Sequence, residues 1–208
     1  MTQSKEQNEY WDYIPDFLSP ELFAPLYIKI AKICGLNGSR LSCVFSSTNT
    51  SNTNNTNDNN YYSKTPLYNW SEAPKEVLDI KKSIEEYTQI KFDYVLLHIY
   101  VNGKSSIGYH SDSEAMNSTV VSISLGSTRK FRFKSILPNN NDNEEKNDNN
   151  EKKKPSWDHE LLLNSGDMLI MHGPRDGKVG CQSAYLHTVP IERKVKTPRI
   201  NLTFRCFE

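Results

Sequence analysis

The segment Ile107-Gly108-Tyr109-His110-Ser111-Asp112-Ser113-Glu114 carries an imidazole and a carboxylate two residues apart, shortly after an apolar run at positions 94–101. The β-branched and aromatic residues of that run predict a strand, and Asn102-Gly103 predicts a turn after it. Residues 107–112 are then expected to form the next strand. His110 and Asp112 would point to the same face of that strand, where both side chains can bind one metal ion.

A second histidine, His187, lies much later in an apolar context at positions 185–190. Two histidines and one carboxylate are the ligand set of the facial triad, which holds ferrous iron and leaves coordination positions open for other ligands. A single His-x-Asp pair is a weak signal, because such pairs are frequent by chance. The alternative interpretation makes His110 a surface histidine and Asp112 a turn residue.

The segment Pro198-Arg199-Ile200-Asn201-Leu202-Thr203-Phe204-Arg205 strengthens the metal-site interpretation. Its alternation predicts a strand with one apolar face and one face that carries two guanidinium groups, an amide and a hydroxyl. Arginines on a half-buried strand need anionic partners, and a dicarboxylate ligand would supply two. The alternative is an edge strand with a solvated basic face.

With these residues in view, the sequence resembles the AlkB-like 2-oxoglutarate/Fe(II) dioxygenases, and within them the branch that repairs alkylated nucleic acid. The order of the motifs and the C-terminal Arg-x-Asn-x-Thr-Phe-Arg make the resemblance specific. The matching pieces are Arg40-Leu41-Ser42, Tyr62-Ser63, Phe92 with 96–100, His110-Ser111-Asp112 with Glu114, Ser124-Leu125-Gly126 with Arg129, Phe131 and Phe133, 166–171, Gln182 with His187 and Val189-Pro190, and Arg199–Arg205.

The resemblance implies Fe(II) as the cofactor, 2-oxoglutarate as the co-substrate, and O2. It assigns the metal to His110, Asp112 and His187, and 2-oxoglutarate to five residues: Arg199, Arg205, Asn201, Tyr100 and His98. In this scheme Arg199 pairs with the distal carboxylate of 2-oxoglutarate, and Arg205 lies near its iron-bound end and can donate to Asp112. His98-Ile99-Tyr100 departs from the usual Asn-x-Tyr of the family. Histidine still offers one hydrogen bond, but its shape and charge differ.

The same resemblance implies a flipped-out nucleobase as substrate. Tyr62 and Trp70 are then predicted to stack on the base, and Glu114 is predicted to contact it. The alternatives are that the aromatic residues pack in the core and that Glu114 is a surface residue.

The implied function is oxidative demethylation of N-alkylated bases in DNA or RNA, which couples decarboxylation of 2-oxoglutarate to methyl hydroxylation and release of formaldehyde. One alternative is a 2-oxoglutarate/Fe(II) hydroxylase or demethylase of a protein or another non-nucleic-acid substrate. Another is a non-catalytic nucleic-acid binding module.

Composition bounds the remaining possibilities. The 208 residues have a formal net charge of zero, so any polyanion contact must come from a local patch. The four cysteines lack Cys-x-x-Cys spacing, which favours a reducing compartment. No apolar run is long enough to span a membrane, and no secretory signal is evident. We therefore expect a monomer in the nucleus or cytoplasm that is neither secreted nor bound to a membrane.

Periodicity predicts a single domain, residues 1–208, that is mainly β. Eight strands are expected at 94–101, 107–112, 118–125, 129–136, 158–163, 167–171, 184–189 and 199–207, a short strand at 40–45 and a helix at 74–89. A helix capped by Ser19 is expected to continue until Gly35. The resemblance sharpens this β architecture to a double-stranded β-helix (jelly roll, cupin-like) with flanking helices and a nucleotide-recognition lid at about 40–72. Two polar segments, 46–60 and 138–155, are predicted to be disordered inserts.

Overall fold

The computed structural model describes residues 5–47, 65–137 and 157–207. The elements of these ranges alternate strands with a few helices, and their bounds agree with most of the predicted strands to within one or two residues. They are β1 (Glu6–Gln7), β2 (Trp11–Ile14), α1 (Phe23–Ile30), β3 (Gly35–Asn37), β4 (Arg40–Ser46), β5 (Leu67–Asn69), α2 (Lys75–Thr88), β6 (Tyr94–Tyr100), β7 (Ile107–His110), β8 (Val120–Gly126), β9 (Arg129–Ser135), β10 (His159–Leu163), β11 (Met168–Met171), α3 (Cys181–Ala184), β12 (Tyr185–Val189) and β13 (Arg199–Arg205).

Within the described ranges the strands form two sheets. The major sheet has the order β1-β2-β11-β8-β13-β6-β4-β3, with β5 added parallel to β4, and the minor sheet has the order β10-β9-β12-β7. Buried residues of both sheets pack together, including Tyr100 and Leu169 from the major sheet and Phe131, Phe133 and Leu163 from the minor sheet. The predicted fold class, a mainly β jelly roll with flanking helices, is confirmed.

Strand β13 lies in the middle of the major sheet between β6 and β8, so both of its edges are paired. Its predicted alternation is present. Ile200, Leu202 and Phe204 join the apolar cluster that includes buried residues of α1 and α2. The four polar residues are also buried but face the other way, into the jelly roll. The edge-strand alternative for this segment is therefore wrong.

Helices α1 and α2 pack against the outer face of the major sheet. Ser19 caps the first helical segment as predicted, because its Oγ accepts a hydrogen bond from Glu21 N. The helix does not continue to Gly35: α1 ends at Ile30, and Gly35 begins β3, where it pairs with Ser42. Helix α2 ends at Thr88, and the next residue, Gln89, caps it in a left-handed conformation with φ of 59°. Within the described ranges no helix is both long and apolar enough to cross a membrane.

Two features differ from the sequence-based predictions, and two predictions are not tested. Ser46, the predicted first residue of the first insert, is buried as the last residue of β4 and pairs with Tyr94. Residues 48–60 and 138–155, which make up nearly all of the two predicted inserts, lie outside the described residues. Strand β2 was not predicted, although it pairs along its whole length with β11. The proposed lid at 40–72 stays a prediction.

Gly166 is expected to be essential for stability. It adopts a φ of +96°, and a Cβ at this position would lie 2.1 Å from the carbonyl oxygen of Leu18. Both backbone groups of Gly166 are also engaged, with Leu18 N and Ser124 O. Gly166→Ala should lower the free energy of unfolding by about 2–3 kcal/mol, measured by denaturant titration.

Gly108→Ala is the matched control for this change. An added Cβ at Gly108 meets no atom within 4 Å, and the backbone there is extended. This variant should stay within about 0.5 kcal/mol of the parent protein. Equal stability of the two alanine variants would contradict the close approach at Gly166.

Candidate active site

His110, Asp112 and His187 converge inside the jelly roll, at one end of the minor sheet. His110 and His187 are direct cross-strand partners on β7 and β12, and their ring centroids lie 4.3 Å apart. Asp112 Oδ1 lies 3.8 Å from His110 Nε2. One ligand atom from each residue falls within 4.8 Å of the others, so the three side chains can bind one ion.

The predicted strand 107–112 is too long, so His110 and Asp112 do not lie on one strand. Strand β7 ends at His110, and Asp112 is the N-cap of a 3₁₀ helix, Ser113–Ala115. Asp112 is held by Gln182, whose Oε1 accepts a hydrogen bond of 2.8 Å from Asp112 N. The carboxylate therefore comes from the start of the 3₁₀ helix and not from the strand.

The surroundings of the two imidazoles suit metal binding. His110 Nδ1 lies 2.9 Å from Gly108 O and donates to it, which leaves Nε2 as the atom that would face a metal. His187 is buried and stacks on Phe131 with ring centroids 5.3 Å apart. Burial lowers the pKa of His187 to about 3, so the ring is neutral at physiological pH.

Asp112 is ionised although it is buried. Burial favours its neutral form, but the positive charge of Arg205, followed by the two imidazoles, outweighs that effect and lowers the pKa of Asp112 to about 2. Arg205 Nη2 lies 2.8 Å from Asp112 Oδ1, and Nε donates to Oδ2 at 3.3 Å. Arg205 Nη1 also lies 3.8 Å from Glu114 Oε1. Arg205 thus connects the metal ligand with the acidic residue beside it.

Gln182 is a positioning residue. It is one of the matching pieces of the sequence, but the sequence predicts no role for it. It is buried, and its amide contacts Asp112 N on one side and Met171 Sδ on the other. Gln182→Met keeps the volume but removes the acceptor, so Asp112 loses its backbone anchor. We expect metal affinity to fall about 10–100-fold, as it does when other groups that orient a ligand are removed.

The measurement for Gln182→Met is anaerobic calorimetric titration with Fe(II). Ser183→Ala, at the next position of α3, is the matched control and should bind the metal like the parent protein. Unchanged Fe(II) affinity in Gln182→Met would show that the position of Asp112 as a metal ligand does not depend on this amide.

Arg199 supplies a buried positive charge behind the metal ligands. Its Nη2 donates to Ser124 Oγ at 2.8 Å, while Nε and Nη1 have no hydrogen-bond partner among the described residues. Its guanidinium lies 5.2 Å from the centroid of the Tyr100 ring. Burial lowers the pKa of Arg199 to about 10, so the group stays charged at neutral pH. A buried cation with open N–H groups fits an anionic ligand such as a carboxylate of 2-oxoglutarate.

The other residues predicted to hold 2-oxoglutarate line the same inner cavity as the metal ligands, namely Tyr100, Asn201, His98 and Arg205. Arg199 is not part of this lining but lies beside Tyr100. Asn201 Nδ2 donates to Ser122 Oγ and to Ile123 O, which fixes the orientation of its amide.

His98 is oriented by a residue to which the sequence assigned no role. Its Nδ1 lies 2.6 Å from the Oγ of Ser42 on β4. Burial, followed by the charge of Arg40, keeps the pKa of His98 well below its ordinary value, so the ring is neutral. His98 also lines both the inner cavity and the outer one described next.

An outer cavity of about 280 Å³ opens over the triad. It shares His98, His110, Asp112 and Arg205 with the inner cavity, and its rim includes Tyr109 and Glu114. His110 and Asp112 line both cavities, whereas His187 lines only the inner one. Glu114 lines the outer cavity, and its contact with a substrate base stays a prediction.

The structure does not support a stacking role for Trp70. Its Nε1 donates to Asp93 O at 3.0 Å, and its ring packs against the apolar cluster beneath α2. Lys81 Nζ lies 5.3 Å from the ring centroid, and Trp70 lines neither cavity at the triad. The core-packing alternative is therefore the better interpretation of Trp70. Tyr62 lies outside the described residues.

Comparison with known proteins agrees with this site. The profile of the 2OG-Fe(II) oxygenase superfamily matches residues 13–205. The solved structure of OsALKBH1 has the same fold, with a TM-score of 0.58 at 16% identity, over 98% of this chain and 100% of that chain.

Curated relatives are similar in sequence. Bos taurus alpha-ketoglutarate-dependent dioxygenase alkB homolog 3 is 35% identical over 70% of this chain and 49% of its own length. Bos taurus DNA oxidative demethylase ALKBH2 is 30% identical over 64% of this chain and 45% of its own length. The chain spans about half the length of these relatives. The chain is an AlkB-like member of the 2OG-Fe(II) oxygenase superfamily, and Fe(II), 2-oxoglutarate and O2 are its expected reactants.

Proposed function

We propose that this protein is an oxidative demethylase of N-alkylated bases in DNA or RNA. The observation that carries the proposal is that the His110, Asp112 and His187 cluster adjoins a cavity that is lined by His110 and Asp112 and also by Glu114. The relatives named as a dioxygenase and as a DNA oxidative demethylase support the same reaction class.

The residues of this chain have distinct tasks in the reaction. His110, Asp112 and His187 would hold Fe(II), which together with 2-oxoglutarate and O2 supplies the chemistry that hydroxylates a methyl group. Arg199 would bind the distal carboxylate of 2-oxoglutarate. Arg205 keeps Asp112 ionised and oriented. The hydroxymethyl group left on the base nitrogen then breaks its C–N bond and departs as formaldehyde.

Apolar side chains keep water away from the reacting carbon. Ile107, Phe131, Met171 and Val189 line the inner cavity beside the metal ligands. Such walls exclude water that would otherwise compete for the open metal positions and quench the oxidation.

Glu114 would distinguish an alkylated base from an unmodified one. Methylation at N1 of adenine or N3 of cytosine makes the base cationic, and the carboxylate at the rim complements that charge. We propose that the protein acts as a monomer, in the nucleus or cytoplasm, on DNA or RNA that presents such bases.

The test uses purified protein loaded with Fe(II) and 2-oxoglutarate under anaerobic conditions and then exposed to air. Oligonucleotides of single-stranded DNA and RNA that contain 1-methyladenine or 3-methylcytosine are followed by mass spectrometry for loss of the methyl group. Glu114→Gln keeps the size of the side chain and removes its charge, so it should lower turnover of the cationic base. Its binding of Fe(II) should stay within twofold of the parent protein.

Succinate formation measured in parallel separates the possible outcomes. Demethylation that depends on 2-oxoglutarate supports the proposal. Steady succinate formation with no demethylation of any oligonucleotide would instead indicate a protein or other substrate. The absence of any succinate formation would contradict the proposal that the protein decarboxylates 2-oxoglutarate.

A further inference from the structure

Two cysteines on the outer side of the major sheet lie in direct contact. Cys34 Sγ and Cys43 Sγ are 2.8 Å apart, and both are free thiols. Cys34 is partly exposed at the end of the α1 region, whereas Cys43 is fully buried in β4. The other two cysteines have different surroundings, with Cys181 buried near α3 and Cys206 Sγ beside Lys91 O.

The backbone already has the geometry that a disulfide needs. Gly35 pairs with Ser42 and Leu36 with Leu41 in antiparallel register, so Cys34 and Cys43 occupy the next pair of opposed positions. Opposed residues of antiparallel strands have Cα atoms roughly 4.5–5.5 Å apart, which lies within the range of disulfides. Cys34 N donates to Ile30 O and not across the strands, so a bond between the sulfur atoms would disturb no backbone pairing at this position.

We propose that Cys34 and Cys43 form a reversible disulfide when the protein meets a peroxide. The Cys34 thiolate attacks one peroxide oxygen; an S–O bond forms, the O–O bond breaks, and one water leaves after protonation. The sulfenic acid of Cys34 is then attacked by the Cys43 sulfur; an S–S bond forms, the S–O bond breaks, and the second water leaves with the Cys43 proton. Two thiols are oxidised and one hydrogen peroxide is reduced to two waters.

The roles of the two thiols follow from their exposure. Of these two thiols, only Cys34 is accessible to a dissolved oxidant. Cys43 is buried in contact with Cys34 and would act as the resolving thiol. Rapid resolution protects Cys34 from further oxidation to the sulfinic acid. A dithiol reductant would restore both thiols.

The disulfide would link residue 34 to strand β4, which carries Ser42 next to the inner cavity. Cys43 faces the outer apolar cluster, while the preceding residue, Ser42, faces inward and contacts His98. Closing the short loop between residues 34 and 43 should raise the melting temperature by about 5–10 °C. This inference does not depend on the proposed substrate, because its readouts are covalent structure and thermal stability.

The experiment treats the full chain with equimolar hydrogen peroxide, blocks free thiols, and digests it with trypsin without reductant. Trypsin cuts after Lys32, Arg40 and Lys64, so Cys34 and Cys43 fall in peptides 33–40 and 41–64. The expected result is one linked pair of these peptides, which separates on reduction. Variants Cys181→Ser and Cys206→Ser should form the link unchanged.

Cys34→Ser should form no link and show no rise in melting temperature on oxidation. Two outcomes would overturn the proposal. One is recovery of Cys43 as a free thiol together with Cys34 oxidised to sulfinic acid. The other is a crosslink between two chains, seen as a dimer on a non-reducing gel.

Discussion

Replacing His187 with alanine should reduce Fe(II) binding and turnover by more than about 100-fold. Removal of groups that only orient a metal ligand costs about 10–100-fold, so loss of a ligand itself should cost more. The remaining donors, His110 and Asp112, lie on one side of the site, and Asp112 is also engaged by Arg205. The measurements are anaerobic calorimetry with Fe(II) and succinate release under air.

His187 is buried against Phe131, so its replacement also leaves a cavity in the core. His110→Ala avoids this difficulty, because the His110 side chain is 32% exposed. It should give the same loss of Fe(II) binding with little loss of stability. His159→Ala, at an exposed position of β10, is the matched control. Fe(II) affinity that survives His110→Ala would contradict the three-residue site.

Replacing Arg199 with methionine should weaken binding of 2-oxoglutarate by about 30- to 5,000-fold. Truncating one partner of a buried charge pair costs about 2–5 kcal/mol, and each 1.4 kcal/mol changes affinity tenfold. Fe(II) affinity should be unaffected, because Arg199 contacts Ser124 and Tyr100 and none of the metal ligands. The dissociation constant is measured by calorimetry with the metal already bound.

Although Arg199→Met should weaken binding of 2-oxoglutarate, it should not lower the stability of the ligand-free protein. Arg199 is a buried cation whose Nε and Nη1 lack partners among the described residues, so an apolar side chain of similar length removes an uncompensated charge. Arg199→Met should therefore unfold at an equal or higher denaturant concentration. Arg199→Lys keeps the charge without the planar fork and should bind 2-oxoglutarate with intermediate affinity. Lower stability of Arg199→Met with unchanged 2-oxoglutarate affinity would assign Arg199 a structural role.

The strands and the polar face of β13 could be predicted because they depend on local sequence. Side chains along a strand alternate between its two faces, so Arg199, Asn201, Thr203 and Arg205 had to share one face wherever the strand was placed. Strand β6 was predicted instead from the β-branched and aromatic residues of its apolar run. The alternation rule failed at Asp112, because the strand ends at His110 and a 3₁₀ helix follows.

Residues that act through contacts with distant parts of the chain could not be predicted. Trp70 is an aromatic residue of the kind that stacks on bases. In the structure, however, its indole N–H donates to Asp93 O, and its ring packs against the core. Gln182 and Ser42 gained roles only when the fold brought them beside Asp112 and His98. Strand β2 has only four residues, Trp11–Ile14, which is too short for its alternation to identify a strand, and it is stabilised by pairing with β11.

The sequence by itself identified the side chains that we expect to carry the chemistry, namely two imidazoles, one carboxylate and the arginines of the last strand. The tertiary structure alone decided that His110 and His187 face each other, that Arg205 holds Asp112, and that two nitrogens of the buried Arg199 have no hydrogen-bond partner among the described residues. The physical reason is that strand alternation follows from backbone geometry within a few residues. Register, bends and burial are set instead by the pairing and packing of segments far apart in the chain.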